Sequence, residues 1–259
     1  YIGYPVAMGI AAVSPARQEI VSEPDMRTPQ DAAAYLTALK SLIEYLETSD
    51  CNMEEGKFRC DANVSIRPVG QKEFGTKAEL KNMNTISGVE EALVYEIQRQ
   101  IEVVENGGKI VQETRTWDPD EKVTKSMRSK ENAHDYRYFP DPDLLPLRVS
   151  KEWIEEIRST LPELPAEKKE RFVNEFGIPH YDAGVLTASR ELAEYFEDVV
   201  REFNNPKSVS NWIMTEFMRA MKVDDRPISS ILVKPGQLSS LLRMIDDGKI
   251  SGKIAKTVF

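Results

Sequence analysis

The feature that most constrains this chain is a ten-residue stretch of strict alternation from Phe58 to Arg67. Its even positions are apolar and its odd positions are polar. A period of two is typical of a β-strand, because successive side chains point to opposite faces of a sheet. The stretch therefore predicts a strand with one buried face and one polar face, and a fold organised around a sheet.

Other segments predict the elements around this strand. An alternating run from Thr76 to Asn82 follows a glycine-containing loop, which predicts a second strand paired antiparallel with the first. Thr28 and Pro29 have the pattern of a helix start, with Thr28 as the N-cap. The segment Ser87–Glu90 has the pattern of a capping box and predicts the start of another helix.

The pattern changes after Ser150, where apolar residues recur at helical spacing to the end of the chain. We therefore predict an α+β fold in which a mixed half precedes an all-helical half. The predicted domains are 1–149, then a helical domain at 150–225, then a small helical tail domain that begins at 226 and runs to 259.

Charge is distributed unevenly along the chain. The net charge is −9, but residues 226–259 hold six basic and two acidic residues and so carry +4. An acidic body is a poor binder of phosphate-rich partners, whereas a basic tail is compatible with a nucleic-acid partner. A tail that is simply solvated agrees equally well with the charge alone.

Several classes of function are disfavoured. No run approaches the roughly 18 apolar residues of a membrane helix. Cys51 and Cys60 form no C-x-x-C pair, which gives no indication of a zinc ribbon or a disulfide framework and fits a reducing compartment. The sequence has no phosphate-binding glycine loop, and neither histidine has a nearby candidate nucleophile, so nucleophilic catalysis is disfavoured.

The polar face of the Phe58–Arg67 strand is the candidate working surface. Asp61, Asn63 and Ser65 are short, and short polar side chains lose little entropy when they are fixed around a metal or a phosphate. Glu19 and Glu23 share one face of an extended segment upstream. Several carboxylates near a short polar row favour an oxygen-ligand site, for Mg²⁺ rather than Zn²⁺.

The loop from His134 to Pro140 is a second candidate. Arg137 lies among aromatic residues, where it would stack on a base or hold a phosphate. An aromatic cluster that closes the end of the sheet, with Arg137 paired to Asp135, explains the same residues equally well. Both interpretations remain open at this point.

Six ordered motifs together resemble one family. They are EIVSEPD at 19–25, MEEG at 53–56, RCDANVS at 59–65, GTKAELKN at 75–82, QETR at 112–115 and DYRYFP at 135–140. Each motif is weak alone. In this order the chain from Glu19 to Phe259 is similar to the B subunit of the bacterial and organellar aspartyl/glutamyl-tRNA amidotransferases.

The resemblance implies a cradle-like, mostly antiparallel sheet with helices, followed by an all-helical domain and the start of a small helical tail domain. It implies a ligase in which ATP phosphorylates the side-chain carboxylate of Glu-tRNA(Gln) or Asp-tRNA(Asn), and ammonia derived from glutamine then displaces phosphate. The implied cofactors are ATP and Mg²⁺. The implied partners are a glutaminase A subunit, a small C subunit and the misacylated tRNA, in the bacterial cytoplasm or an organellar matrix.

The resemblance also implies roles for individual side chains. The implied catalytic residues are Asp61, Arg59, Asn63 and Lys81. The implied contacts to ATP or substrate are Ser65, Lys77, Asn82, Arg137 and Tyr138. The metal or its water shell would be held by Glu19, Glu23 and Asp61. The tRNA would be held by Lys249, Lys253 and Lys256, whose spacing predicts one common helix face.

Family members carry more residues before the Glu19 motif and after Phe259, so the resemblance implies a chain that is incomplete at both ends. The segment Tyr1–Arg17 departs from the family pattern. An alternative function is a non-catalytic scaffold that binds tRNA or supports assembly. The related archaeal subunit is disfavoured, because its large insertion is not visible between Asp224 and Gln237.

Overall fold

The computed structural model describes residues 2–3, 6–13, 17–127, 148–224 and 233–259. The chain forms two compact units, Tyr1–Ile43 with Glu47–Ser159 and Glu44–Leu46 with Thr160–Phe259. The first contains the strands and the second is helical, which confirms the predicted α+β class. The predicted domain boundaries at 149 and 225 stay predictions.

The first unit is built on a six-stranded sheet. Its strands are β2 (Val6–Val13), β3 (Arg17–Val21), β4 (Phe58–Val64), β6 (Ala78–Met83), β7 (Glu113–Asp118) and β8 (Val123–Ser126). Their order across the sheet is β3-β2-β4-β6-β7-β8, and among the described residues only the β6–β7 pair is parallel. The short strands β1 (Ile2–Gly3) and β5 (Arg67–Pro68) form a separate antiparallel pair.

Strand β4 shows the alternation that the sequence predicts. Phe58, Cys60, Ala62 and Val64 are buried in the core of the first unit, and the polar residues between them are not. Its antiparallel pairing with β6 confirms the predicted partner strand. The strand is shorter than predicted, because the chain leaves the six-stranded sheet after Val64. The next strand, β5, pairs with β1 instead.

Two helices belong to this unit's core. Helix α1 (Pro29–Tyr45) begins as predicted, since the backbone N–H of Asp31 donates to the Thr28 hydroxyl over 3.1 Å. Helix α2 (Ile86–Glu105) is capped by Thr85, whose hydroxyl accepts from the N–H of Gly88 over 2.9 Å. The predicted capping box at Ser87 is therefore wrong by two residues, because the extended backbone needed at an N-cap falls at Thr85.

The second unit is a helical cluster around one apolar core, which includes Phe172, Phe196, Leu238 and Ala255. This helical cluster also contains a short π-helix, Ile213–Phe217. Helix α3 (Lys151–Thr160) belongs to the first unit except for its last residue. The helices of the second unit are α4 (Pro165–Phe176), α5 (His180–Leu186), α6 (Arg190–Glu202), α7 (Pro206–Trp212), α8 (Met218–Asp224), α9 (Pro235–Asp246) and α10 (Gly252–Val258). None of the helices in the described ranges is long and apolar enough to cross a bilayer.

A buried ion cluster ties α2 to strands β7 and β8. Glu96 is fully buried, and its carboxylate accepts hydrogen bonds from Arg99 (2.6 Å) and from the Thr124 hydroxyl (2.8 Å). The Nε atom of Arg115 lies 3.2 Å from the same carboxylate, and Arg115 also donates to Glu113. Because a buried carboxylate is costly without compensation, these partners hold the helix on the strands that carry the QETR motif.

We predict that Glu96→Gln lowers the free energy of unfolding by about 3 kcal/mol, because it removes the buried charge that Arg99 and Arg115 share and leaves them only Glu113. Urea denaturation of the variant and the wild type measures the difference. Glu105→Gln, at an exposed position on the same helix, is the matched control and should change stability by less than about 0.5 kcal/mol. Equal losses in the two variants would contradict this account.

Candidate active site

The polar face of β4 extends across the neighbouring strands. Arg59 of β4 lies opposite Ala11 of β2, and Ala11 lies opposite Glu19 of β3, so the three residues form one row across the sheet. Asp61 lies opposite Gly9 of β2. Residues in one cross-strand row share a face of the sheet. Glu19 and Arg59 are thus on the same face, separated by two strand spacings, or roughly 10 Å.

Lys81 is the centre of the ionic contacts on this face. Its ammonium nitrogen lies 2.5 Å from Oδ2 of Asp61 and 3.1 Å from Oε1 of Glu79. The other carboxylate oxygen of Glu79 accepts a 2.8 Å hydrogen bond from the Thr114 hydroxyl. Asp61, Lys81, Glu79 and Thr114 therefore form a continuous polar chain across β4, β6 and β7.

These contacts fix the charge of Lys81. Partial burial would lower the pKa of Lys81, but the hydrogen bonds and charges of Asp61 and Glu79 outweigh it and raise the pKa above its usual value. Burial would raise the pKa of Glu79, yet the hydrogen bonds from Thr114 and Lys81 lower it. Lys81 is consequently an ammonium at neutral pH, suited to neutralising negative charge and unsuited to accepting a proton.

Arg59 lies against the backbone of the MEEG motif. Gly56 has a positive φ of 71°, and a Cβ atom at this position would lie 3.3 Å from Nε of Arg59. A side chain there would be strained and would crowd the guanidinium. A glycine is therefore favoured at this position of the motif, because its lack of a side chain lets Arg59 lie close to the turn before β4.

A cavity of about 420 Å³ opens beside the same face. Three of the residues expected to contact ATP or substrate, or to take part in catalysis, line it, namely Asn63, Ser65 and Lys77. The rest of the lining is Pro24, Phe74, Gly75, Thr76 and Gln112. Ser65 is only 6% exposed, whereas Lys77 is exposed to solvent. The cavity therefore combines a polar floor with an exposed cationic side chain.

Asn82 has a structural explanation in the described residues. Its φ of 69° is left-handed, a conformation that asparagine tolerates better than most residues. Its side-chain amide donates to the carbonyl of Trp117 over 3.2 Å and so ties β6 to β7. Asn82 does not line the cavity, and its predicted contact to ATP or substrate stays a prediction.

The predicted metal ligands do not come together as a set. In the part of the chain that the structure describes, no group of three or more His, Cys, Asp or Glu side chains is arranged to hold a metal ion. Glu19 and Glu23 are exposed, and Asp61 is engaged by Lys81. The metal-binding role of these three residues stays a prediction. Arg137 and Tyr138 lie outside the described residues.

The three predicted tRNA-binding lysines do not share one helix. Lys249 precedes α10 and pairs with Asp247 over 2.8 Å, which corrects the expectation of a single face. Lys253 and Lys256 are on α10. The Lys256 ammonium lies 2.6 Å from Oε1 of Glu216, a residue of the π-helix that is 3% exposed.

The sequence pattern indicated no role for Glu79, Thr114 or Phe74. Glu79 had a detectable signal, since it alternates in step with Lys77 and Lys81 along the predicted strand. Thr114 had none, because its position beside Glu79 depends on the parallel pairing of β6 with β7. Phe74 lies in a loop, where no periodicity marks it.

Two family models match the chain. Residues 14–155 match the GatB/GatE catalytic domain, and residues 194–259 match the GatB domain. The first match alone covers more than half of the chain.

The chain belongs to the GatB family. This confirms the resemblance that the six motifs indicated. The B subunit of the aspartyl/glutamyl-tRNA(Asn/Gln) amidotransferase of Carboxydothermus hydrogenoformans is 57% identical over 241 residues, which are 93% of this chain and 50% of that protein. The proteins of the same name from Geotalea daltonii and Brevibacillus brevis are 58% and 56% identical over the same shares of each chain. The chain spans about half the length of the curated relatives that it matches.

Proposed function

We propose that this chain forms one wall of the pocket in which a tRNA-dependent amidotransferase activates and amidates a carboxylate on misacylated tRNA. The observation that supports it most is Lys81, held as an ammonium between Asp61 and Glu79 on the face that borders the cavity. Family membership supports the reaction class, since the relatives are named as subunits of such an amidotransferase.

The proposed reaction has two steps. A carboxylate resists attack by ammonia, because the leaving group would be oxide. In the first step a side-chain carboxylate oxygen takes the γ-phosphoryl group of ATP, which gives an acyl phosphate and ADP. In the second, the lone pair of ammonia forms a bond to the carbonyl carbon, the bond from that carbon to the phosphate oxygen breaks, phosphate leaves and the nitrogen loses a proton.

The residues of the polar face suit this chemistry, which depends mainly on positioning and charge neutralisation. Lys77 and Arg59 are exposed cations that would bind phosphate oxygens. Lys81 would neutralise charge on the carboxylate as it becomes an acyl phosphate. Asn63 and Ser65 would donate hydrogen bonds, and Asp61 would keep Lys81 in place.

The proposal includes Mg²⁺, with Glu19, Glu23 and Asp61 as its ligands or as partners of its water shell. The described residues do not supply a set of three ligands by themselves. The three cations Arg59, Lys77 and Lys81 are proposed to neutralise negative charge on this face alongside the metal. Asn82, Arg137 and Tyr138 are proposed as further contacts of ATP or substrate.

The proposed complex contains a glutaminase A subunit that supplies ammonia from glutamine, and a small C subunit. The proposed substrates are Glu-tRNA(Gln) and Asp-tRNA(Asn), in the bacterial cytoplasm or an organellar matrix. A second candidate function is a non-catalytic scaffold that binds tRNA, with which the basic residues of 226–259 are also compatible. The two functions differ in whether the polar face is needed for ATP cleavage.

We predict that Asp61→Asn, in the full-length protein assembled with its A and C partners, lowers the rate of tRNA-dependent ATP cleavage roughly 100-fold or more. The amide removes one of the two charges that hold Lys81 and keeps the size of the side chain. Affinity for misacylated tRNA should be unchanged, and both quantities are measured on the same preparation. Asp120→Asn, in an exposed turn, is the control and should behave as wild type.

Wild-type turnover in Asp61→Asn would contradict the proposed site. A wild-type complex that binds misacylated tRNA but cleaves no ATP would favour the scaffold instead.

We predict different effects for two neighbouring lysines of α10. Lys253 is exposed, so Lys253→Gln should weaken tRNA binding, reduce the slope of log affinity against log salt by about one, and leave the melting temperature unchanged. Lys256→Gln breaks the contact with Glu216, so it should lower the melting temperature at neutral pH.

The second effect has a defined pH dependence. The hydrogen bond from Lys256 holds the pKa of Glu216 below its usual value. The stabilisation is therefore present above the unfolded-state pKa and is lost as the pH falls through the folded-state pKa. The difference in melting temperature between wild type and Lys256→Gln should shrink on acidification.

An unchanged salt slope in Lys253→Gln would contradict the proposed contact with tRNA and would indicate that Lys253 is only solvated.

A further inference from the structure

An exposed aromatic side chain lies at the edge of the cavity. Phe74 lines the cavity and is 52% exposed, although phenylalanine is usually buried. Single exposed apolar residues are common and carry little meaning alone. The surroundings of Phe74 in the loop between β5 and β6 distinguish it from such cases.

Arg67 fixes this loop in two ways. Its guanidinium donates to the backbone carbonyl of Lys72, and its central carbon lies 5.1 Å from the centroid of the Phe74 ring. The N–H of Gln71 also donates to the carbonyl of Pro68 over 3.1 Å, which closes the turn. The guanidinium therefore contacts one face of the ring, while the Phe74 residue as a whole stays 52% exposed.

Gly75 brings the loop against Ile66, in the short connection between β4 and β5. A Cβ atom at this position would lie 2.0 Å from the carbonyl oxygen of Ile66, which no real side chain tolerates. The loop backbone can approach this closely only because Gly75 has no side chain. Phe74 and Thr76, on either side of Gly75, are consequently held at the wall of the cavity, next to the polar floor of Asn63 and Ser65.

The cavity thus has three parts that suit one class of ligand. Phe74, whose ring Arg67 contacts, offers an apolar aromatic side chain on which a nucleobase stacks. Lys77 offers a positive charge for a phosphate, and Asn63 and Ser65 offer hydrogen bonds. A volume of about 420 Å³ is within the usual range for small-molecule sites.

We propose that Phe74 is the stacking platform for the base of an adenosine nucleotide bound in this cavity. The proposal rests on the proposed function, in which two ligands carry this chemistry, namely ATP and the 3′-terminal adenosine that bears the amino acid on the tRNA. Phe74 contributes to affinity in either case, because stacking accepts any base, and binding measurements with each ligand separate the two sources.

The experiment uses the full-length protein assembled with its A and C partners and compares wild type, Phe74→Leu and Phe74→Trp. Calorimetry measures the dissociation constants of a non-hydrolysable ATP analogue and of misacylated tRNA, and steady-state assays measure KM and kcat. Val69→Ala is the matched control, because Val69 is 69% exposed in the same loop and does not line the cavity.

Phe74→Leu should raise the dissociation constant and the KM of the stacked ligand roughly 10-fold, with kcat at saturation nearly unchanged. Phe74→Trp should bind as tightly as wild type or more tightly, and its introduced indole should lose fluorescence when the ligand binds, relative to wild type. A change confined to the analogue assigns the base to ATP. A change confined to tRNA assigns it to the terminal adenosine.

Unchanged dissociation constants for both ligands in Phe74→Leu would overturn the proposal. Equal losses in Phe74→Leu and Phe74→Trp would also overturn it, because the side chain would then only support the loop. If Phe74→Leu fails to fold, Phe74→Trp tests the proposal alone. Wild-type or tighter binding with loss of indole fluorescence would support it, and unchanged indole fluorescence on ligand binding would overturn it. Failure of the proposed function has a separate signature, since the wild-type complex would then bind ligands but show no tRNA-dependent ATP cleavage.

Discussion

The pairing of β4 on both edges, with β2 on one side and β6 on the other, is the constraint on which the first unit depends. It fixes the direction of every side chain in the strand. Phe58, Cys60, Ala62 and Val64 must enter the core, so the residues between them must share the opposite face. A slip of one residue would exchange the two faces, burying the charges of Arg59 and Asp61 and exposing the core. The same pairing therefore stabilises the fold and positions the polar face.

The polar face gains its chemical character from contacts that cross strands. Asp61 and Glu79 approach Lys81 from β4 and β6, and together they hold it as an ammonium. Thr114 completes this chain from β7, while the buried Glu96 cluster holds β7 and β8 against α2. A charge that neither titrates near neutral pH nor moves freely is what a phosphoryl-transfer pocket needs, because such a pocket acts by preorganised electrostatics.

Local periodicity was sufficient to predict β4, its antiparallel partner and the helical second half, and the Thr28-Pro29 pattern was sufficient to predict the start of α1. It failed where distant parts of the chain decide the outcome. Thr85 and Ser87 are both plausible caps for α2, and the choice depends on where the chain leaves β6. Thr114 reaches Glu79 only through a parallel pairing that no local pattern reveals. The sequence does not distinguish Lys256 from Lys253, yet the ammonium of Lys256 pairs with the buried carboxylate of Glu216, which lies on a different helix. The polar face could be predicted because Arg59, Asp61 and Asn63 alternate along one strand, whereas the position of the loop residues Phe74 and Gly75 beside it depends on the fold.

The most direct test of the central claim is a structure of the assembled complex that contains this chain, determined with a non-hydrolysable ATP analogue and Mg²⁺. The account predicts that the triphosphate lies over the polar face of β4, with its oxygens in hydrogen-bond contact with Lys77. The Asp61–Lys81 contact should be intact beneath it. A nucleotide bound elsewhere, with Arg59, Lys77 and Lys81 all making no contact to it, would contradict the account.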